Sequence, residues 1–119
     1  MPSVLVVDDD ADILNSLTDL LVDEGMDILI ASDGAAALAV LRQETPSLII
    51  LDVMMPRMDG ITFRLCQLAD PRLASIPVLL MSAAHNSSDV ALGLKVWGHI
   101  RKPLDVPLLL QMIASACAA

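Results

Sequence analysis

Four short apolar runs in this chain each end on a polar residue. Val4-Leu5-Val6-Val7 leads into Asp8-Asp9, Ser47-Leu48-Ile49-Ile50-Leu51 into Asp52, Val78-Leu79-Leu80-Met81 into Ser82, and Trp97-Gly98-His99-Ile100 into Lys102-Pro103. The run before Asp52 has the length and β-branched content of a strand buried on both faces, and the other three read as strands as well. A further run, Asp27-Ile28-Leu29-Ile30, makes five, and helical patterns lie between them, which predicts a parallel sheet of βαβ units. Such sheets bind ligands outside the carboxyl ends of their strands, so the polar groups ending the runs converge on one crevice. Asp52 stands out among them: a lone carboxylate where a strand stops, with Pro56 and Gly60 interrupting the segment after it.

The helical segments are set by spacing. Ile13, Leu14, Leu17, Leu20 and Leu21 form one stripe that Gly25 terminates. Asp33-Gly34 turns into an alanine-rich helix over Ala35 to Arg42, with Leu38 and Leu41 toward the core and Pro46 as its stop. After Asp59-Gly60, the residues Ile61, Leu65 and Leu68 recur at i, i+4 and i+7 and predict a core-facing stripe closed by Asp70-Pro71. A fourth helix around Ser88 to Leu94 is the weakest pattern. The fifth begins near Pro107 and carries Leu108, Leu109, Leu110, Met112, Ile113 and Ala116, more apolar residues than one stripe buries. The surplus is either ordinary exposed leucine or a partner surface.

The 119 residues fit a single domain, 1-119, with no linker, repeat or room for an output domain; the expectation is a freestanding domain or a piece of a larger protein. Although 55% of residues are hydrophobic, no run approaches the roughly 18 needed to span a bilayer, so membrane insertion is not expected. A net charge of -8 argues against direct nucleic-acid binding. Cys66 and Cys117 lack metal-ligand spacing, and no signal peptide precedes them, which points to reduced thiols and a cytoplasmic location.

Three carboxylates, a hydroxyl and a lysine at one sheet edge suit a particular chemistry. Clustered carboxylates repel unless a cation intervenes, and Mg²⁺ takes one or two of them together with waters and phosphate oxygens. A carboxylate accepts a phosphoryl group as an acyl phosphate when the transferring charge is neutralised from several sides. Asp8 and Asp9 are placed to hold the metal beside Asp52, Lys102 to meet a phosphoryl oxygen as a point charge, and the Ser82 hydroxyl to hydrogen-bond another.

Val6-Val7-Asp8-Asp9-Asp10, Asp52 followed by Met55-Pro56-Arg57-Met58-Asp59-Gly60, Ser82-Ala83 and Lys102-Pro103, in that order, resemble the receiver domain of two-component response regulators over nearly the whole chain. The resemblance implies a doubly wound, flavodoxin-like (βα)5 fold with five parallel strands in the order 2-1-3-4-5. It implies that Asp52 accepts phosphate from a histidine kinase or a histidine phosphotransfer protein. Asp9 is then the direct Mg²⁺ ligand, Asp8 the residue holding metal-bound water, and the Met54 backbone carbonyl a further ligand beside Asp52. Ser82 becomes the switch hydroxyl and Lys102 the phosphoryl ion pair, with a cis Lys102-Pro103 bond aiming the lysine inward. The implied readout is the face of the fourth helix, fifth strand and fifth helix, offered to an output protein or a second copy. Met54 and Ala84 are expected to flank the path of the water that removes the phosphoryl group, so the domain assists its own phosphorylation and dephosphorylation without being a turnover enzyme.

The chain departs from that family at His99, where a Tyr or Phe ring is usual. Either His99 serves as the switch ring, with a charge that changes near neutral pH, or it is an ordinary exposed histidine. Trp97 reads more readily as core filler than as a partner contact. Each site residue taken alone has a plainer role: helix caps for Asp8 and Asp9, a turn for Asp52, a solvated lysine, a satisfied loop hydroxyl. Two other functions share part of the pattern. A pseudo-receiver keeps the fold without the chemistry, and a haloacid-dehalogenase-like phosphatase has a D-x-D nucleophile motif that Asp8 and Asp10 formally satisfy. The phosphate-cradling G-x-x-x-x-G-K-[ST] motif is absent, and the acidic end of the first strand speaks against flavodoxin-like cofactor binding.

Overall fold

The computed structural model describes residues 3–53, 58–82 and 95–118. Five strands, β1 (Ser3–Val7), β2 (Asp27–Ala31), β3 (Leu48–Asp52), β4 (Val78–Ser82) and β5 (Gly98–Arg101), form one sheet in the order β2-β1-β3-β4-β5. Every neighbouring pair is parallel. The described helices are α1 (Ala11–Asp23), α2 (Gly34–Leu41), α3 (Gly60–Ala69) and α4 (Val106–Ala118). This is the doubly wound α/β, flavodoxin-like architecture with the expected strand order. The predicted fourth helix, Ser88 to Leu94, lies outside the described residues, as do Met54, Met55, Pro56, Arg57 and Ala84.

Because side chains alternate along a strand, each central strand supplies two cores. Leu5, Val7, Ile49, Leu51, Val78 and Leu80 meet Ala37 and Leu41 of α2 and Phe63 of α3. Val4, Val6, Leu48, Ile50, Leu79, Met81 and Ile100 meet Leu14, Leu17 and Leu21 of α1 and Leu109, Ile113 and Ala116 of α4. β3 and β4 are buried at every position, whereas the edge strand β2 is only partly covered and leaves Ile30 half exposed.

Aspartates start three helices. Asp10 accepts from the amides of Asp12 and Ile13, Asp33 from that of Ala36, and Asp59 from that of Thr62, satisfying donors that the first turn leaves free. The cap of α1 is thus Asp10, so Asp8 and Asp9 are not spent on capping. At the other end of α1, Gly25 takes a positive φ of 80°, the left-handed conformation that suits glycine. Helix α2 ends at Leu41 with Arg42 as its C-cap, ahead of Pro46.

Two expectations are corrected. In α3 the stripe Ile61, Leu65 and Leu68 faces solvent, with Leu65 57% exposed, and the buried face is Gly60, Phe63, Arg64 and Gln67. The cause is a need for donors under the helix. Gln67 Nε2 donates to the carbonyls of Leu73 and Ile76, Arg64 Nη1 to Gln67 Oε1, and Arg64 Nη2 to the carbonyl of Lys95. Buried loop carbonyls left without these partners would each cost about 1–3 kcal/mol, comparable with the roughly 1.5–3 kcal/mol gained by turning one leucine inward. Trp97 is the second correction: it is 41% exposed, and Phe63, fully buried, fills the core instead. In α4 the apolar surplus divides as its number requires, with Leu109 and Ile113 fully buried and Val106 and Leu108 exposed.

Candidate functional site

Strand register brings the site together. Val7 pairs with Leu51, so Asp8, next after β1, lies beside Asp52, the last residue of β3. Asp52 pairs with Met81 and Ser82 with Arg101, which sets Ser82 and Lys102 at the ends of the two following strands. Four separated segments therefore deliver their polar residues to one edge, where central strands supply a rigid base.

Asp8, Asp9 and Asp52 each offer one carboxylate oxygen, all within 4.8 Å of one another. Asp8 is fully buried and Asp52 nearly so, while Asp9 is exposed. Asp8 Oδ1 accepts from the Asp10 amide at 2.9 Å. Its other oxygen, Oδ2, accepts from Lys102 Nζ at 2.9 Å, and the same ammonium lies 3.6 Å from Asp52 Oδ2. Burial alone would lower the Lys102 pKa, but the hydrogen bond to Asp8 and the charges of Asp52 and Asp8 outweigh it and raise the group above its ordinary value. The lysine is thus held as a cation. The Lys102-Pro103 bond is cis, as expected, and the side chain reaches the carboxylates and not solvent.

Ser82 is buried at the end of β4, and its carbonyl accepts from the Lys102 amide at 2.9 Å. His99 is exposed on β5. Met54, expected to offer its carbonyl, lies outside the described residues.

Two further residues shape the site. The Gly60 amide donates to the Val53 carbonyl at 3.0 Å, and a Cβ at this position would collide with the backbone of Asp52 and Val53. The Gly34 amide donates to the Met58 carbonyl at 3.1 Å, tying the segment after β3 to the start of α2. The Asp-Gly pairs at 33–34 and 59–60 are legible in the sequence as turns, but their closeness to β3 is not. Beside Lys102 and Pro103 opens an apolar groove of about 450 Å³, lined among others by Ile13, Leu17, Leu20, Leu104 and Leu109. Sequence pattern holds no signal for it, because it forms between α1 and α4.

The donor set fits a hard divalent cation: it is all oxygen, carries several negative charges, and includes one exposed member through which an ion keeps water.

The model of the response regulator receiver domain family matches residues 4–114. The DNA-binding response regulator MtrA of Mycobacterium tuberculosis is 39% identical over 92 residues, covering 77% of this chain and 39% of MtrA. The alkaline phosphatase synthesis transcriptional regulatory protein PhoP of Bacillus subtilis is 39% identical over 93 residues, 78% of this chain and 38% of PhoP. The chain thus spans about two fifths of the length of these curated relatives. Among solved structures, the receiver domain of a signal transduction histidine kinase from Syntrophus aciditrophicus has a TM-score of 0.91 at 28% identity, covering 99% of this chain and 91% of that one. The chemotaxis response regulator CheY4 of Vibrio cholerae has a TM-score of 0.90 at 27% identity, covering 98% of each chain. With the fold, the acidic cluster and a family match over almost all its residues in agreement, this chain belongs to the response regulator receiver domain family of two-component signalling.

Proposed function

We propose that Asp52 accepts a phosphoryl group from the phosphohistidine of a histidine kinase or a histidine phosphotransfer protein. The observation that carries this reading is the placement of Asp52 within 4.8 Å of the Asp8 and Asp9 oxygens and 3.6 Å from the Lys102 ammonium. An Asp52 carboxylate oxygen forms the new bond to phosphorus as the bond from phosphorus to the donor imidazole nitrogen breaks, and that nitrogen leaves with the bonding electrons. Asp8, Asp9 and Asp52 hold Mg²⁺, with the Met54 carbonyl as a further ligand; the ion supplies positive charge against the carboxylates and the phosphoryl oxygens. Lys102 neutralises a phosphoryl oxygen, and the Ser82 hydroxyl donates to another.

As Ser82 moves toward the phosphoryl group, β5 and its flanking helices shift between two states and present an output face to a partner protein. His99 takes the part of the switch ring there. Residues 1–119 act as a single receiver unit in the cytoplasm, a phosphoacceptor that assists its own phosphorylation and dephosphorylation, with Met54 and Ala84 flanking the attacking water. The D-x-D phosphatase alternative is weakened by Asp10, whose side chain caps α1, and by Asp8, held by Lys102.

The test is intact-mass spectrometry after incubation with acetyl phosphate, with and without Mg²⁺, for the protein and its Asp52→Asn variant. A Mg²⁺-dependent gain of one phosphoryl group, absent from the variant, is expected. A protein that gains none and binds no Mg²⁺ is a pseudo-receiver, and the reading fails.

A further inference from the structure

We infer that the entrance to β5 is a sprung segment latched by Arg64: the guanidinium of this α3 residue keeps Lys95 in a backbone conformation that lysine disfavours, and loss of that bond frees the start of the strand. Two observations meet at Lys95. Its φ is 55°, and among the described residues it is the only non-glycine with a positive φ. In that left-handed region a side chain crowds its own backbone, which is why glycine usually takes it. The Lys95 side chain is exposed, so its own packing does not impose the conformation.

The second observation is what lies beneath. Arg64 is only 4% exposed, and its Nη2 donates to the Lys95 carbonyl at 3.0 Å, across 31 residues of sequence. Its Nη1 donates to Gln67 Oε1 at 2.8 Å. Gln67 is itself fully buried, with Nε2 donating to the carbonyls of Leu73 and Ile76 at 2.9 and 3.1 Å. The guanidinium is therefore aimed by a fixed neighbour before it meets Lys95. A hydrogen bond from an ionised donor is roughly twice as strong as a neutral one. Backbone strain on one side and a charge-assisted bond on the other make a segment with two states.

The segment matters because β5 is short. Its four residues are flanked by two further hydrogen bonds to β4, from the Trp97 amide to the Val78 carbonyl and from the Lys102 amide to the Ser82 carbonyl, each 2.9 Å. Val96, between Lys95 and Trp97, packs on the core that holds Phe63. When Lys95 relaxes, the chain enters β5 from a different direction, and the Trp97 amide and Val96 lose their places. Helix α3 thus acts as a strut: its Gly60 amide holds the Val53 carbonyl beside Asp52, and Arg64, one turn on, holds the strand that ends at Lys102. The inference goes beyond the phosphoryl chemistry and does not depend on it.

The test is amide hydrogen exchange, followed by nuclear magnetic resonance on the unphosphorylated chain, for the protein, Arg64→Leu, Lys95→Gly and the double variant. The Trp97 amide reports the latch, and the Ile49 amide, bonded to the Pro77 carbonyl in the core, reports global opening. Arg64→Leu should speed exchange at Trp97 about tenfold more than at Ile49. Lys95→Gly should slow exchange at Trp97 about threefold, because glycine takes this φ without strain, and should reverse most of the acceleration in the double variant. Should Arg64→Leu fail to fold, Lys95→Gly alone decides: slower exchange at Trp97 supports the latch, and unchanged or faster exchange overturns it. Equal acceleration at Trp97 and Ile49, or an acceleration that Lys95→Gly leaves untouched, also overturns it, since Arg64 then supports α3 and nothing more.

Discussion

Three carboxylates crowded at the end of a sheet repel one another, and Lys102 is the cation that lets Asp8 and Asp52 share that space. In metal-free protein, Lys102→Met should cost about 1–3 kcal/mol in denaturant unfolding, since Asp8 stays buried without its partner. Added Mg²⁺ should recover part of that loss. The pH dependence has a definite sign. The lysine pKa is raised by folding, so its contribution is complete below the ordinary value of 10.5 and disappears as pH rises through the higher folded value. The stability difference between the protein and Lys102→Met should therefore be constant from neutral pH to about 10 and shrink above it; a difference that grows there contradicts the ion pair. Gly60→Ala should destabilise by about 1–3 kcal/mol, because its methyl group would strike the backbone of Asp52 and Val53. Lys102 is legible as a site residue from its place before Pro103, but its bond to Asp8, 94 residues away in sequence, depends on strand order.

At the scale of elements, α3 shows where apolar periodicity misleads. Ile61, Leu65 and Leu68 have the spacing of a core stripe, yet Arg64 and Gln67 take the buried face because the carbonyls of Leu73, Ile76 and Lys95 need donors. Nothing local to α3 announces those acceptors. Leu65→Lys should accordingly change stability by no more than about 0.5 kcal/mol, and Gln67→Leu should cost about 1–3 kcal/mol; the reverse order in thermal or urea unfolding would restore the periodic reading. The strands are easier to read, since β3 and β4 are apolar almost throughout and buried throughout. The groove between α1 and α4 borders the carboxylate edge of the sheet through Lys102 and Pro103. On the proposed function, a protein donor brings its phosphohistidine to that edge and so covers part of the rim, whereas acetyl phosphate need not. Ile13→Glu, a half-buried groove residue, should slow transfer from a phosphotransfer protein at least tenfold and leave acetyl phosphate labelling within twofold, on the scale of about 1.4 kcal/mol per decade.

Across the whole molecule, register is the link between sequence and chemistry. Apolar runs that end on Asp8, Asp52, Ser82 and Lys102 become a site only when four parallel neighbours stop at the same edge, and the pairings Val7 with Leu51, Asp52 with Met81 and Ser82 with Arg101 achieve that. The alternation of strands and helices makes the sheet legible, while the strand order comes from family resemblance, because spacing alone does not choose among parallel arrangements. Trp97 escapes a sequence reading since an aromatic beside an edge strand has two faces available and the core is already filled by Phe63. The central claim is that Asp52, and neither Asp8 nor another carboxylate, carries the phosphoryl group. Borohydride reduction of acetyl phosphate-treated protein, followed by peptide mapping, locates it directly, because reduction converts an aspartyl phosphate to homoserine. Homoserine at position 52, dependent on Mg²⁺, is the predicted result; homoserine at position 8, or at none, would contradict it.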